Sequence, residues 1–453
     1  MSTLLICNVK IVSEGLIKEA DVFVKNGRIE RIGSDLSYLP AEQFIDGSGK
    51  HLMPGIIDTQ LKLSGSDNFA SSLMHESRAS IAGGICSSLL LPNHISDESQ
   101  GIESFHAGAN DLQLHNNLSM YYPITNKTLD KISAIDISSC CGLYVDMACA
   151  EDEFRIDDPS ILERVFQESS TLVALHAEDA PSILESEESY RQIYGDDIPF
   201  HLHGSIRSAE ACYIAASEAL NIALKTNASA HLLHVSSAKE IELLGKIRKN
   251  ASNISADVCS HYLTFSDTDY VDKGEILKCE PSIKSDIDRA ALLQGLLDND
   301  IDNICSGHIP LALTEKAGSY FEVPAGLPLA QYTFPSILEH YQDQILSLEL
   351  IAEKTSHAVA DRFGIEDRGY IREGYWADLV LIDLDRSFIA RDEDVVSASA
   401  WTIFNGNEFR SSVATTIING CVVWSDGKFL DVPTSGKPLK FTHLSEANKQ
   451  AKI

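Results

Sequence analysis

The stretch HLMPGIIDTQLKL, residues 51–63, decides how this chain is read. An apolar run from His51 to Ile57, interrupted by the tight Pro54-Gly55 pair, gives way to the alternating Asp58-Thr59-Gln60-Leu61-Lys62-Leu63. Alternation marks a strand, and residues two apart on a strand share a face. Asp58, Gln60 and Lys62 are therefore predicted to point one way, and Thr59, Leu61 and Leu63 the other. Three polar side chains in a row at the end of a buried strand are costly unless they line a site, so this strand is expected to aim at one.

Upstream, residues 3–50 form short alternating runs, with Asn26-Gly27 as a hairpin signal. A matching β-rich unit returns at 377–385 and 412–429, with turns at Asn419-Gly420 and Asp426-Gly427. Two β-rich ends around a long middle predict one small β-sandwich built from both termini. The middle alternates strand candidates (55–61, 84–91, 118–124, 142–148, 172–178, 230–236, 254–260 and 301–307) with helical stretches such as 208–227 and 285–300. Eight strands alternating with helices are the pattern of a (β/α)8 TIM barrel of the α/β class. The expected division is 1–52 plus 366–435 for the sandwich, 53–365 for the barrel, and a C-terminal tail at 436–453 whose last residues are polar and frayed.

A formal net charge of -30 argues against a nucleic-acid partner, which needs clustered Lys and Arg. The acidic residues are dispersed and read as a solvated surface. The ten cysteines include no CxxC, and buried reduced thiols are expected. The N-terminus is interrupted by charge too soon for a signal peptide, and no apolar run approaches the ~20 residues that span a bilayer. A soluble, cytoplasmic protein without a membrane association is expected.

Barrel chemistry sits at the C-terminal ends of the strands. Read in order, these ends present Gln60 and Lys62, then Asn93 and His94, Tyr144 and Asp146, His176, His234, His261, and Gly307-His308. MPGIID (53–58), LPN (91–93), LHAED (175–179), HLHGSIRSAEA (201–211), LLHVSS (232–237), DVCSHYLTF (257–265), SGHIP (306–310), AGLPL (325–329) and RGYIREGYWADLVLID (368–383) run through almost the whole chain. Together and in this order they resemble the dihydroorotase branch of the cyclic amidohydrolases.

That resemblance implies a barrel with a β-sandwich, and usually a dimer. It also implies one or two divalent metals that bring a bridging water near neutrality, with a strand-eight Asp as proton shuttle. The family holds its metals with a strand-one His-x-His, often a carboxylated strand-four Lys, one His on each of strands five and six, and the strand-eight Asp. Here the His-x-His falls on Gln60 and Lys62, the Lys on Tyr144 and the Asp on Gly307. Only His176 and His234 remain as ligands. The family's substrate Arg falls on Ser64 and an Asn on Glu280, whereas Asn93, His308 and Gly326 match. No cofactor is expected beyond weak zinc at His176 and His234, because stable zinc sites use three or four protein ligands and an ammonium at Lys62 repels a divalent ion.

The resemblance therefore implies a catalytically inactive dihydroorotase-like protein of the pyrimidine-biosynthesis type. It would be a structural or regulatory partner, a homodimer, in an assembly of the aspartate transcarbamoylase kind. Two alternatives stay open. One is an active enzyme with an altered site, in which Lys62 polarises a carbonyl, Glu280 or Asp146 is the base, and Lys62 pairs with an acidic pocket residue. The other is a module that binds a pyrimidine intermediate. His201 and His203 form a further His-x-His, expected to be structural. His231 and His234, three apart on a strand, are expected on opposite faces.

Overall fold

The computed structural model describes residues 2–63, 69–92, 111–112, 114–136, 138 and 140–442. The eight expected barrel strands are all present: Ile56–Leu61, Ile85–Leu90, Asn117–Met120, Leu143–Asp146, Val173–His176, Ala230–Leu232, Ile254–Cys259 and Asn303–Cys305. They are called strands one to eight below. Neighbours run parallel, with the short Tyr122–Pro123 segment carrying the pairing from strand three to strand four. Strand eight returns to strand one through a parallel bridge between Leu61 and His308. The Lys62 amide donates to the His308 carbonyl at 2.9 Å, and the His308 amide to the Gln60 carbonyl at 3.2 Å. The reading stretch thus forms the seam of the barrel.

The two helices read most directly from sequence form at Ala209–Thr226 and Asp286–Leu297. Each starts where a serine can satisfy free amides. Ser208 accepts from the Ala211 amide, and Ser285 forms a reciprocal capping box with Asp288. The first helix ends at Asn227, which takes a left-handed conformation at φ 55°.

Strands from both termini join one nine-stranded sheet. The junction is His51–Pro54, which pairs parallel with Thr3–Ser13 and antiparallel with Leu379–Asp383. This sheet therefore extends two residues past the expected boundary at 52. The three predicted hairpin turns form, each with two consecutive positive φ values: Asn26 52° and Gly27 83°, Asn419 49° and Gly420 75°, Asp426 49° and Gly427 82°. A β-carbon at Gly27 would stand 2.7 Å from the Asn419 carbonyl, so two of these turns pack on each other.

The nine strands share a continuous hydrogen-bonded network. A buried polar knot ties the sheet to the barrel. Arg368 pairs with Asp378, which also accepts from Asn419 N at 2.8 Å and from Asn117 Nδ2, on strand three, at 3.1 Å. The start of the expected tail is not loose. Leu118 donates to the Lys437 carbonyl and Leu439 to the Leu118 carbonyl, and Leu439 and Phe441 are buried. Two apolar side chains within an otherwise polar run drive that docking. Residues from 443 onward lie outside the described region.

All ten cysteines are free and all but Cys421 are buried, as expected of reduced thiols. Among the described residues no helix is long and apolar enough to cross a membrane.

Candidate functional site

The C-terminal ends of the strands surround a cavity of about 300 Å³, lined among others by Gln60, Lys62, Tyr144, His176, His234 and Gly307. Glu280, His308 and Gly326 line it too. The structure thus brings together every predicted site residue that it describes. Ser64 and Asn93 lie outside the described residues.

The predicted alternation on strand one breaks at its end. Thr59 Oγ1 and Gln60 Nε2 both donate to Asp257, at 2.8 and 2.6 Å, whereas Asp58 turns to Ser306 and accepts from its amide and hydroxyl at 2.8 and 2.6 Å. The pairing with strand two changes register between Asp58 and Leu61, which lets consecutive side chains converge. Gln60 is therefore spent on Asp257 rather than presented as a ligand.

Asp257 is the hub that sequence reading missed. Besides Thr59 and Gln60, it accepts from the His234 amide at 2.5 Å and lies 3.1 Å from His231 Nε2. Burial pushes its carboxyl up. The His231 ring, the His234 amide and the Gln60 amide outweigh burial and hold the carboxyl below its ordinary range. The signal was a lone carboxylate inside the apolar run ISADVC, since a buried charge has to be partnered. His231 and His234 meet the same carboxylate, one through its ring and the other through its backbone.

His176 and His234 stand edge to face, with ring centroids 4.6 Å apart. His176 Nε2 lies 3.0 Å from Glu178, a fully buried carboxylate that Arg207 Nη1 also reaches at 2.6 Å. Burial alone would raise the Glu178 carboxyl, but Arg207 and His176 hold it far below its usual range. Arg207 Nη2 extends to Glu280 at 2.8 Å. His234 is buried, its backbone sits at φ 44°, and its Nδ1 has no hydrogen-bond partner. Burial pushes its imidazole down to about 3, so it is neutral.

Tyr144 fills the strand-four position with a buried ring whose hydroxyl donates to Asp146 at 3.2 Å. Gly307 sits at φ 62°, and a β-carbon there would stand 2.6 Å from Cys259 Sγ and 3.1 Å from His261 Cε1. The thiol of Cys259 rests 3.5 Å from that of Cys305, its register partner on the adjacent strand.

His308 lines the cavity but is committed to the frame. Its Nδ1 accepts from the Leu329 and Ala330 amides at 2.9 and 3.0 Å, and its Nε2 lies 2.8 Å from Glu76. With both ring nitrogens engaged it holds a helix start in place. Gly326 donates its amide to Lys278 O at 3.0 Å, and at φ 150° a β-carbon would strike Ile309. Its role is close packing. Lys62 faces the cavity, and among the described residues it makes no ion pair with an acidic neighbour. The nearby carboxylates already have partners. His203, of the other His-x-His, is buried between Tyr320 OH and the Cys279 carbonyl, each at 2.8 Å. Burial pushes it down to about 3, a structural role as expected.

A divalent metal does not fit this donor set. Gln60 is turned to Asp257, Lys62 brings a cation, Tyr144 is tied to Asp146, and Gly307 offers no side chain. Among the described residues no three His, Cys, Asp or Glu side chains are arranged to hold a metal ion.

The sequence model of the Amidohydrolase family matches residues 145–423. An allantoinase from Desulfitobacterium hafniense (strain DSM 10664 / DCB-2) is 27% identical over 450 residues, covering 96% of this chain and 98% of the relative. A dihydroorotase from Endomicrobium trichonymphae is 28% identical over 415 residues, covering 89% and 94%. In fold, the chain is similar to L-hydantoinase (dihydropyrimidinase) from Arthrobacter aurescens, with a TM-score of 0.89 at 21% identity over 97% of this chain and 100% of the other. It is also similar to dihydropyrimidinase from Brevibacillus agri NCHU1002, with a TM-score of 0.87 at 21% identity over 97% and 99%. The relatives thus span allantoinases as well as the dihydroorotases to which the sequence motifs pointed. With the family pattern running through more than half its length, on a barrel that presents a cavity at its mouth, this chain belongs to the amidohydrolase family.

Proposed function

We propose that this protein is a dihydroorotase-like cyclic amidohydrolase that no longer hydrolyses cyclic amides and acts as a structural or regulatory partner. The observation that carries this reading is the way the replaced positions are used. Gln60 satisfies a buried carboxylate, Tyr144 bonds its strand neighbour, and the space beside Gly307 is taken by Cys259. These three replacements are integrated into the local structure, and none of the three presents a ligand. Losses in catalytic units of this kind are strongly non-additive, so His176 and His234 alone do not sustain metal-assisted hydrolysis.

In this reading both candidate bases of an altered enzyme are engaged. Glu280 is held by Arg207, and Asp146 accepts from Tyr144 and from the Ala148 amide at 2.9 Å. A homodimer, a cytoplasmic location and a partner of the aspartate transcarbamoylase type belong to the proposal, on the strength of the sequence resemblance.

The test is metal content by plasma mass spectrometry on protein purified without chelator. It is run beside hydrolysis assays on dihydroorotate, allantoin, hydantoin and dihydrouracil. Substoichiometric metal and no turnover are expected. Stoichiometric metal together with turnover of any of the four overturns the reading.

A further inference from the structure

We propose that the barrel-mouth cavity is a metal-independent binding site for a small organic monocarboxylate, anchored by the Lys62 ammonium. This rests on the reading above, that the barrel no longer holds a catalytic metal, and gives the vacated mouth a ligand class.

Lys62 leaves strand one at the barrel seam, where its amide is fixed on the His308 carbonyl at 2.9 Å. Its half-buried side chain lines the cavity and makes no ion pair among the described residues. The carboxylates around it are committed. Glu178 and Glu280 share Arg207, and Asp146 accepts from Tyr144 and Ala148. A cation in a concave site focuses its field on an incoming anion.

A second observation points to the rest of the guest. His234 and His261 line the same cavity and are 6% and 3% exposed. His234 Nδ1 has no hydrogen-bond partner, and among the described residues the His261 ring has only the Ser306 backbone beside it for a hydrogen bond. Buried polar atoms in native proteins are nearly always paired. An imidazole nitrogen donates or accepts a hydrogen bond according to its tautomer. A guest that carries polar atoms beside its carboxylate satisfies them, after a small adjustment of rings that are now occluded. His234 is also held at φ 44°, a conformation found more often at functional sites than elsewhere.

The charge balance selects the class. One ammonium with no ion pair among the described residues matches one negative charge, and Asp146, Glu280 and the rim residue Glu151 oppose a second. Arg207, the fork suited to phosphate, is already taken by two carboxylates. A cavity of about 300 Å³ lies at the lower end of the range for small-molecule sites.

The experiment is thermal shift followed by calorimetric titration of the full chain in EDTA. The probes are nicotinate, orotate and pyruvate, each against its carboxamide, with inorganic phosphate as a further control. At least one carboxylate should stabilise the protein while its carboxamide and phosphate do not. Lys62→Met should weaken that carboxylate at least tenfold, and Lys62→Arg should restore most of it. An equal response to the carboxamide, a response that survives in Lys62→Met, or no response to any probe overturns the proposal. A response that requires added zinc overturns it together with the metal-free reading. A flat screen from protein that also lacks metal and turnover removes the carboxylate site alone.

Discussion

Replacing Gly307 by Asp would return the proton shuttle that the family resemblance places there, and the structure resists it in a measurable way. The backbone at Gly307 sits at φ 62°, which costs a residue with a β-carbon about 1–2 kcal/mol. The new β-carbon would stand 2.6 Å from Cys259 Sγ and 3.1 Å from both Cys259 Cβ and His261 Cε1. Overpacking of this kind costs about 1–3 kcal/mol. Gly307→Asp should therefore destabilise the fold by about 2–5 kcal/mol. Cys259→Ala removes the nearest clashing atom, so the double variant should recover about 1–2 kcal/mol relative to the sum of the single changes, within the range of coupling between touching residues. Urea unfolding followed by circular dichroism reads all four corners of the cycle. A Gly307→Asp variant within roughly 0.5 kcal/mol of the parent, or strictly additive single and double variants, refutes the reasoning.

Stability should fall on mild acidification. His203 and His261 are held neutral by burial at about 3 in the fold, against about 6.5 when unfolded. The unfolded chain therefore takes up their protons first, and each histidine removes about 1.4 kcal/mol per pH unit as pH falls from about 6.5 toward 3. Urea midpoints compared at pH 7, 6 and 5 check this, and midpoints that do not drop would count against buried neutral rings. Arg207→Met should cost about 3–5 kcal/mol, because Glu178 is left buried without its guanidinium partner, with His176 beside it and Lys284 nearby, whereas joint replacement of Arg207 and Glu178 by apolar residues should recover most of it. A single variant that loses under about 1 kcal/mol in thermal or urea unfolding would show that the pair is not the buried unit described.

The fold was legible where a local rule and the global pattern agreed. Asn-Gly and Asp-Gly between alternating runs demand left-handed turns, and all three turns formed. Ser208 and Ser285 opened helices because serine satisfies free amides at a helix start. The strand ends were legible from the barrel rule, which placed Gln60, Lys62, Tyr144, His176, His234 and Gly307 at one mouth.

What stayed hidden were contacts between residues far apart in sequence. Nothing local says that Gln60 will turn to Asp257, 197 positions away, or that His308 will be spent on Glu76 and a helix start. The strict alternation on strand one failed for the same reason, since a register change set by pairing with strand two overrode the period-two pattern. Docking of Leu439 and Phe441 was missed because two apolar residues in a polar run show burial only once a partner surface exists.

The replacements at the mouth support one another, which is why changing them back singly does not rebuild a metal site. Asp257 is a buried carboxylate with four donors, two of them from strand one. Gln60→His would remove one donor and leave the others to carry a charge that burial pushes toward protonation. Tyr144→Lys would remove the phenol that Asp146 accepts from, opposite a cation already present at Lys62. Gly307→Asp meets the Cys259 thiol. A variant carrying Gln60→His, Lys62→His, Tyr144→Lys and Gly307→Asp would thus keep its obstruction unless Cys259 were changed as well. Metal uptake should separate the four-change from the five-change protein, and equal uptake by both would mean that the Cys259 sulfur yields without help. That comparison isolates one steric contact from the loss of ligands, because the two proteins carry the same four donor positions and differ only in what fills the space beside residue 307.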